Sequence, residues 1–158
     1  MSRVRQFRRH LGARVGPAEL ADVATWTTAE QLALFTSMHV ADRRHGLDVV
    51  GTLRAEGIND GDVLLAGLLH DAGKGSIGLW PRVAWSLGEA FGSWVWRLAG
   101  LLPPMGRALA VLAVHADRSA ELAAGAGCGP RTVALIRQRA EPVDHEVGER
   151  LRLADEAN

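Results

Sequence analysis

The run Val63, Leu64, Ala66, Leu68 and Leu69 is apolar nearly all round, and it ends abruptly in the adjacent pair His70-Asp71, followed by Ala72-Gly73-Lys74. A helix without a polar face has to be enclosed by neighbours, so this segment is expected to be the central helix of a bundle. Its end is then enclosed as well. Burying an imidazole and a carboxylate side by side is costly unless each finds a partner, and a divalent cation bound to both removes that cost. Lys74 adds to the pattern, because it is the only lysine among eighteen basic residues. A compact ammonium beside a metal suits a phosphate oxygen.

The rest of the chain repeats the helical period, and no alternating strand pattern with turn signals extends beyond a few residues. The fold class expected is all-α, a single helical bundle of about seven to nine helices. Pro17 opens a short helix, and Thr27 answered by Glu30 looks like a capping box for the next. Another helix starts near Val40 and stops at Gly57. The turn 57–61 then feeds the central helix, and later helices are expected near 104–114, 117–124, 130–140 and 143–157. Residues 1–39 are predicted to be N-terminal helices packed on a core unit spanning 40–158.

Composition narrows the partners. Eighteen basic residues balance eighteen acidic ones, which gives no strong nucleic-acid signal and none for an acidic partner. Arg3, Arg5, Arg8 and Arg9 form a basic start that reads as a solvated first helix, contact with anionic lipid or nucleic acid being the alternative. Cys128 is the single cysteine, so no intramolecular disulfide can form, and the cytoplasm is the expected compartment in the absence of a secretory h-region. Residues 79–115 are rich in Trp and Leu, but Arg82, Glu89, Arg97, Arg107 and Pro103-Pro104 leave no apolar stretch of the ~20 residues that spanning requires. No transmembrane segment is expected. Trp80, Val83, Ala84, Leu87, Phe91, Trp94, Val95 and Leu98 share one helical face, read as core packing. Trp85 and Trp96 lie off it, which leaves a homodimer interface or a peripheral membrane contact through 80–98 as alternatives.

Neighbours on a regular helix point about 100° apart, so His70 and Asp71 can share an ion only where the helix ends or distorts, and Gly73 permits that. One pair also leaves an ion short of the four to six ligands it takes. The remaining candidates are His45 upstream, His115 downstream and Asp155 near residue 158. Asp42, three residues before His45, is either an acceptor for that imidazole or a surface acid. His145, His10 and His39 read as ordinary residues.

With these residues in view, the chain resembles the HD-domain superfamily of metal-dependent phosphohydrolases over residues 40–158. Members present a first histidine on one helix, a His-Asp doublet on another and a distant aspartate on a late helix, around a divalent ion in an all-helical bundle. The resemblance makes His45 similar to the first ligand, His70 and Asp71 the doublet, and Asp155 the closing ligand. Some members hold two metals. His115 resembles their mid-chain histidine, but where a later one would stand the sequence reads Ile136-Arg137-Gln138-Arg139, and the Gly-Tyr-Pro signature of the two-metal cyclic-dinucleotide branch is absent. One divalent ion is therefore expected, with His115 lining the pocket or meeting the substrate.

The implied function is hydrolysis of a phosphate ester, a nucleotide being one such substrate, with Asp71 and Lys74 as catalytic residues and Lys74, His115 and Arg82 as substrate contacts. The mixed nitrogen and oxygen ligands suit Mn, Fe, Co, Ni, Zn or Mg without choosing among them. The rival reading is a metal- and nucleotide-binding signalling module of the same type with weak or no turnover.

Overall fold

The computed structural model describes residues 14–75, 94, 106 and 114–158. Within them the chain forms seven α-helices and one 3₁₀ turn, with no strand. They are α1 Pro17–Ala24, α2 Ala29–Ser37, α3 Val40–Ala55, α4 Gly61–Leu69, the 3₁₀ turn Ala72–Lys74, α5 His115–Gly125, α6 Pro130–Arg137 and α7 Val147–Ala157. The all-helical class therefore holds for the described residues. None of their helices is long and apolar enough to cross a membrane. The N-terminal arginines Arg3, Arg5, Arg8 and Arg9, His10, Arg82, the segment 80–98 apart from Trp94, and the helix expected at 104–114 apart from residues 106 and 114 lie outside the described residues.

The apolar character of α4 is answered by its surroundings. Helices α3, α6 and α7 pack against it, with α2 also in contact. Val63, Leu68 and Leu69 from α4 meet Phe35, Val49, Leu53, Ile136 and Leu151 in a core in which each side chain is fully buried. Fully burying a side chain of this kind is worth about 1.5–3 kcal/mol. At α6 a polar contact fixes the docking, Thr132 Oγ1 donating to Asp62 Oδ1 at 2.6 Å.

Two glycines set how closely the backbones approach. A Cβ on Gly46 of α3 would lie 2.6 Å from the Leu68 carbonyl oxygen, so α3 and α4 touch main chain to main chain one residue from His45 and two from His70. Gly73 does the same for the 3₁₀ turn and α5, and its N–H donates to Ser119 Oγ at 2.8 Å. Gly51, by contrast, sits exposed within α3 with nothing near its missing Cβ. Gly51→Ala is therefore expected to stabilise the fold by about 0.5–1 kcal/mol, read as a raised urea midpoint with unchanged slope.

Helix starts and ends depart from the sequence expectation where two residues compete for one role. The capping box of α2 is made by Thr28 and Gln31: Gln31 N–H donates to Thr28 Oγ1 at 3.3 Å and Thr28 N–H to Gln31 Oε1 at 3.0 Å. Thr27 is taken by the preceding helix, its Oγ1 donating to the Val23 carbonyl at 2.9 Å, so Thr27 and Glu30 do not form the box. Helix α7 begins at Val147 and not at 143, because the Asp144 carboxylate accepts from the N–H groups of Glu146 and Val147 and holds a turn there. Helix α6 ends at Arg137, three residues short, and α5 starts two residues early, at His115. His39 is more than an ordinary residue: its Nδ1 accepts from Ala41 N–H at 3.3 Å and caps α3. Trp94 is helical and 57% exposed, whereas its periodicity put it on the inward face. Spacing decides which residues share a face, not whether a partner covers it.

Candidate metal centre

His70 is the C-cap of α4, and Asp71 (φ −100°, ψ 4°) carries the chain out of that helix into the 3₁₀ turn. The helix thus ends where the doublet needs it to end. His70 Nδ1 lies 2.9 Å from the Gly67 carbonyl oxygen, to which it donates, and this turns Nε2 inward. There Nε2 lies 3.4 Å from Asp71 Oδ1 and 3.3 Å from Asp155 Oδ1. Such a carbonyl-anchored imidazole, with its other nitrogen presented forward, is the usual posture of a metal-binding histidine.

The α3 and α7 helices bring the other two donors. His45 Nε2 is 2.6 Å from Asp155 Oδ1, and the His45 and His70 rings meet edge-on with centroids 5.2 Å apart. One ligand atom from each of His45, His70 and Asp155 lies within 4.8 Å of the other two. Two ligand atoms each ~2.1 Å from one ion stand about 3.0–3.4 Å apart, which matches the His70–Asp155 and His70–Asp71 separations. His45 and Asp155 are closer, as a hydrogen-bonded pair is.

Besides Arg139 Nε, two buried atoms at this point, His70 Nε2 and Asp71 Oδ1, have no hydrogen-bond partner. The imidazole nitrogen and the carboxylate oxygen face each other. Where buried polar groups are almost always satisfied, an imidazole nitrogen and a carboxylate oxygen that face each other without a hydrogen bond mark a place for a cation when that imidazole is neutral, and the donor set of imidazoles and carboxylates fits a divalent ion.

The electrostatics keep the carboxylates ionised. Burial would raise Asp71, but the positive charges around it, His70 first and then Lys74, His45 and Arg139, hold its carboxyl well below the usual range. Burial acts the same way on Asp155 and is likewise outweighed, by the charge of His70, the His45 hydrogen bond and Arg139. For His45, burial pushes the imidazole down, while the hydrogen bond to Asp155 and the charges of Asp71 and Asp155 hold it above its ordinary range.

The remaining sequence candidates divide. Lys74 is close: its Nζ donates to Asp71 Oδ2 at 2.6 Å, with the side chain 23% exposed. The first residue of α5, His115, has its Nε2 4.0 Å from Asp71 Oδ1 and stands at the edge of the cluster. Asp42 is buried, which removes the surface-acid alternative. Arg82 lies outside the described residues.

Sequence reasoning missed Arg139, noted there only in the run 136–139 that stands where a later histidine would be expected. Its Nη1 donates to Asp155 Oδ2 and its Nη2 lies 3.3 Å from His115 Nε2. The one available signal was that a buried acid such as Asp155 needs a counter-charge, and seventeen arginines offer too many. Comparison with protein-family models, curated proteins and solved structures finds no match for this chain.

Proposed function

We propose that the chain is a metal-dependent phosphohydrolase of the HD type, cleaving a phosphate ester of which a nucleotide is one candidate. The observation that carries this reading is the facing pair His70 Nε2 and Asp71 Oδ1, buried without partners beside Asp155 and His45. His45, His70, Asp71 and Asp155 would hold one ion. When bound, a divalent ion supplies charge that acidifies water and neutralises a phosphoryl oxygen.

The charge balance supports an anionic substrate. Asp71 is paired with Lys74 and Asp155 with Arg139, so the carboxylates are already compensated and a divalent ion leaves its full charge for the ligand that arrives. A phosphate ester is such a ligand. Hydrolysis then adds a water oxygen to phosphorus and breaks the ester P–O bond, the leaving oxygen taking a proton. Asp71 holds Lys74 in place through Oδ2. An ammonium has three donors; Asp71 uses one, and the partly exposed Nζ has others to offer a phosphoryl oxygen. His115 Nε2 stands 4.0 Å from the other oxygen, Asp71 Oδ1, and in this reading lines the substrate position.

Metal analysis of the purified protein, followed by a panel of phosphomonoesters and phosphodiesters, tests the reading. One divalent ion per chain and metal-dependent release of phosphate or nucleotide are expected. A protein that binds an ion yet cleaves none of the panel would favour a binding module. Lys74→Ala is expected to keep the ion and lower turnover by roughly tenfold to a thousandfold, the scale of losing one charged hydrogen bond to a developing phosphoryl charge. Lys74→Arg should recover part of it. Wild-type turnover in Lys74→Ala would remove Lys74 from the mechanism.

A further inference from the structure

Arg139 follows α6 and, like Lys74, brings a strong cation to the cluster, where it meets Asp155. Its side chain is 17% exposed, and those of Asp155 and His115 are 16% and 12%. The guanidinium spans two donor atoms that also face the cluster, Asp155 Oδ2 through Nη1 and His115 Nε2 through Nη2. An arginine can only donate, so His115 accepts at Nε2 and carries its proton, when neutral, on Nδ1. That is the form in which an imidazole ligates a metal.

The Asp155 carboxylate is therefore divided. Oδ1 faces His45 and His70, while Oδ2 faces Arg139. An ion on the first side could be joined by a second one on the other, held by Asp155 Oδ2 and His115 Nε2, with Asp71 Oδ1 at 4.0 Å from that imidazole. The position such an ion needs is the position the guanidinium takes. A guanidinium is always protonated, planar and weakly hydrated for a cation, so it satisfies both atoms permanently.

We infer that Arg139 is a tethered cation standing at a second cation position of this site, so that the site is limited to one divalent ion by occupation and not merely by a missing ligand. The inference rests on the metal-centre reading above and deepens it. Arg139 supplies in fixed form the charge that a second ion would bring, and it orients Asp155 so that Oδ1 is presented to His45 and His70.

The test is metal stoichiometry, which needs no substrate. Wild type, R139H, R139Q and R139K are dialysed against Mn²⁺ and, separately, Zn²⁺, and bound metal is counted per chain after circular dichroism confirms the helical content. R139H removes the tethered charge and adds a ligand, so two ions per chain are expected. R139Q removes the charge alone and is expected to admit a second ion at higher concentration than the first. R139K keeps a cation and should stay at one. Wild type with one ion, and R139H and R139Q both still at one, would overturn the inference while leaving the metal centre intact. Two ions in wild type would overturn it as well, and no ion in wild type would instead overturn the metal-centre reading on which it stands. Should R139H fail to fold, the comparison of R139Q with R139K decides the matter.

Discussion

Asp71→Ala is expected to lose the proposed divalent-ion binding, and with it the proposed phosphate-ester hydrolysis, while keeping its helical content. Asp71 is 2% exposed, with Oδ1 opposite His70 Nε2 and Oδ2 holding Lys74. Alanine removes both at once. Asp71 is not a member of the apolar core cluster, so the helices that enclose α4 are expected to stay docked. Lys74 loses its partner but is partly exposed and can turn to water, which limits the stability cost to about 1–3 kcal/mol. Asp71→Asn, with its volume kept, should lose the ion too, since a neutral amide replaces the anionic ligand. Metal counting and circular dichroism on both variants check the expectation; an Asp71→Ala protein with a full ion would remove Asp71 from the ligand set.

The second large effect is structural. Gly73→Ala would place a Cβ 2.4 Å from the His115 carbonyl oxygen and 2.6 Å from the Ser119 nitrogen. Both are backbone atoms, which cannot swing aside as a side-chain tip does. Helix α5 would have to move off the 3₁₀ turn, taking His115 with it and breaking the hydrogen bond from Gly73 to Ser119. A destabilisation of about 3 kcal/mol is expected, the upper end for overpacking, and a fall in Tm of roughly 6–12 °C for a chain of this length. Urea unfolding and a thermal scan measure it. A Gly73→Ala protein with wild-type Tm would show that the close approach of α5 is not needed.

How much of this was legible in the residues depends on the distance over which each feature is decided. Helix α4 could be read because its enclosure is written in its own composition, and the start of α1 because Pro17 suits the first helical position. The helix end at His70 followed from the chemistry of the doublet. The α2 cap was misplaced by one residue because Thr27 and Thr28 are equally good caps, and only the Val23 carbonyl decides between them. The convergence of His45, His70 and Asp155 came from a resemblance and not from periodicity, since no local rule brings α3, α4 and α7 to one point. Arg139 was beyond reach for the same reason: it meets Asp155 and His115 by tertiary packing, and none of the three is a helical neighbour of another.

His45 and Asp155 are separated by 110 positions in the chain and joined by one hydrogen bond. A contact of that span closes a long loop, and such closures come late in folding, after local helices have formed. Asp155 reaches the cluster only while α7 is seated, through the fully buried Leu151 and nearly buried Ala154, on α3 and α4. The docking of one eleven-residue helix is thus the latch of the whole centre. An ion that binds only the latched chain would slow the departure of α7 and raise the unfolding temperature in proportion to the logarithm of its concentration, so a thermal shift with added metal would report directly on whether that helix is in place.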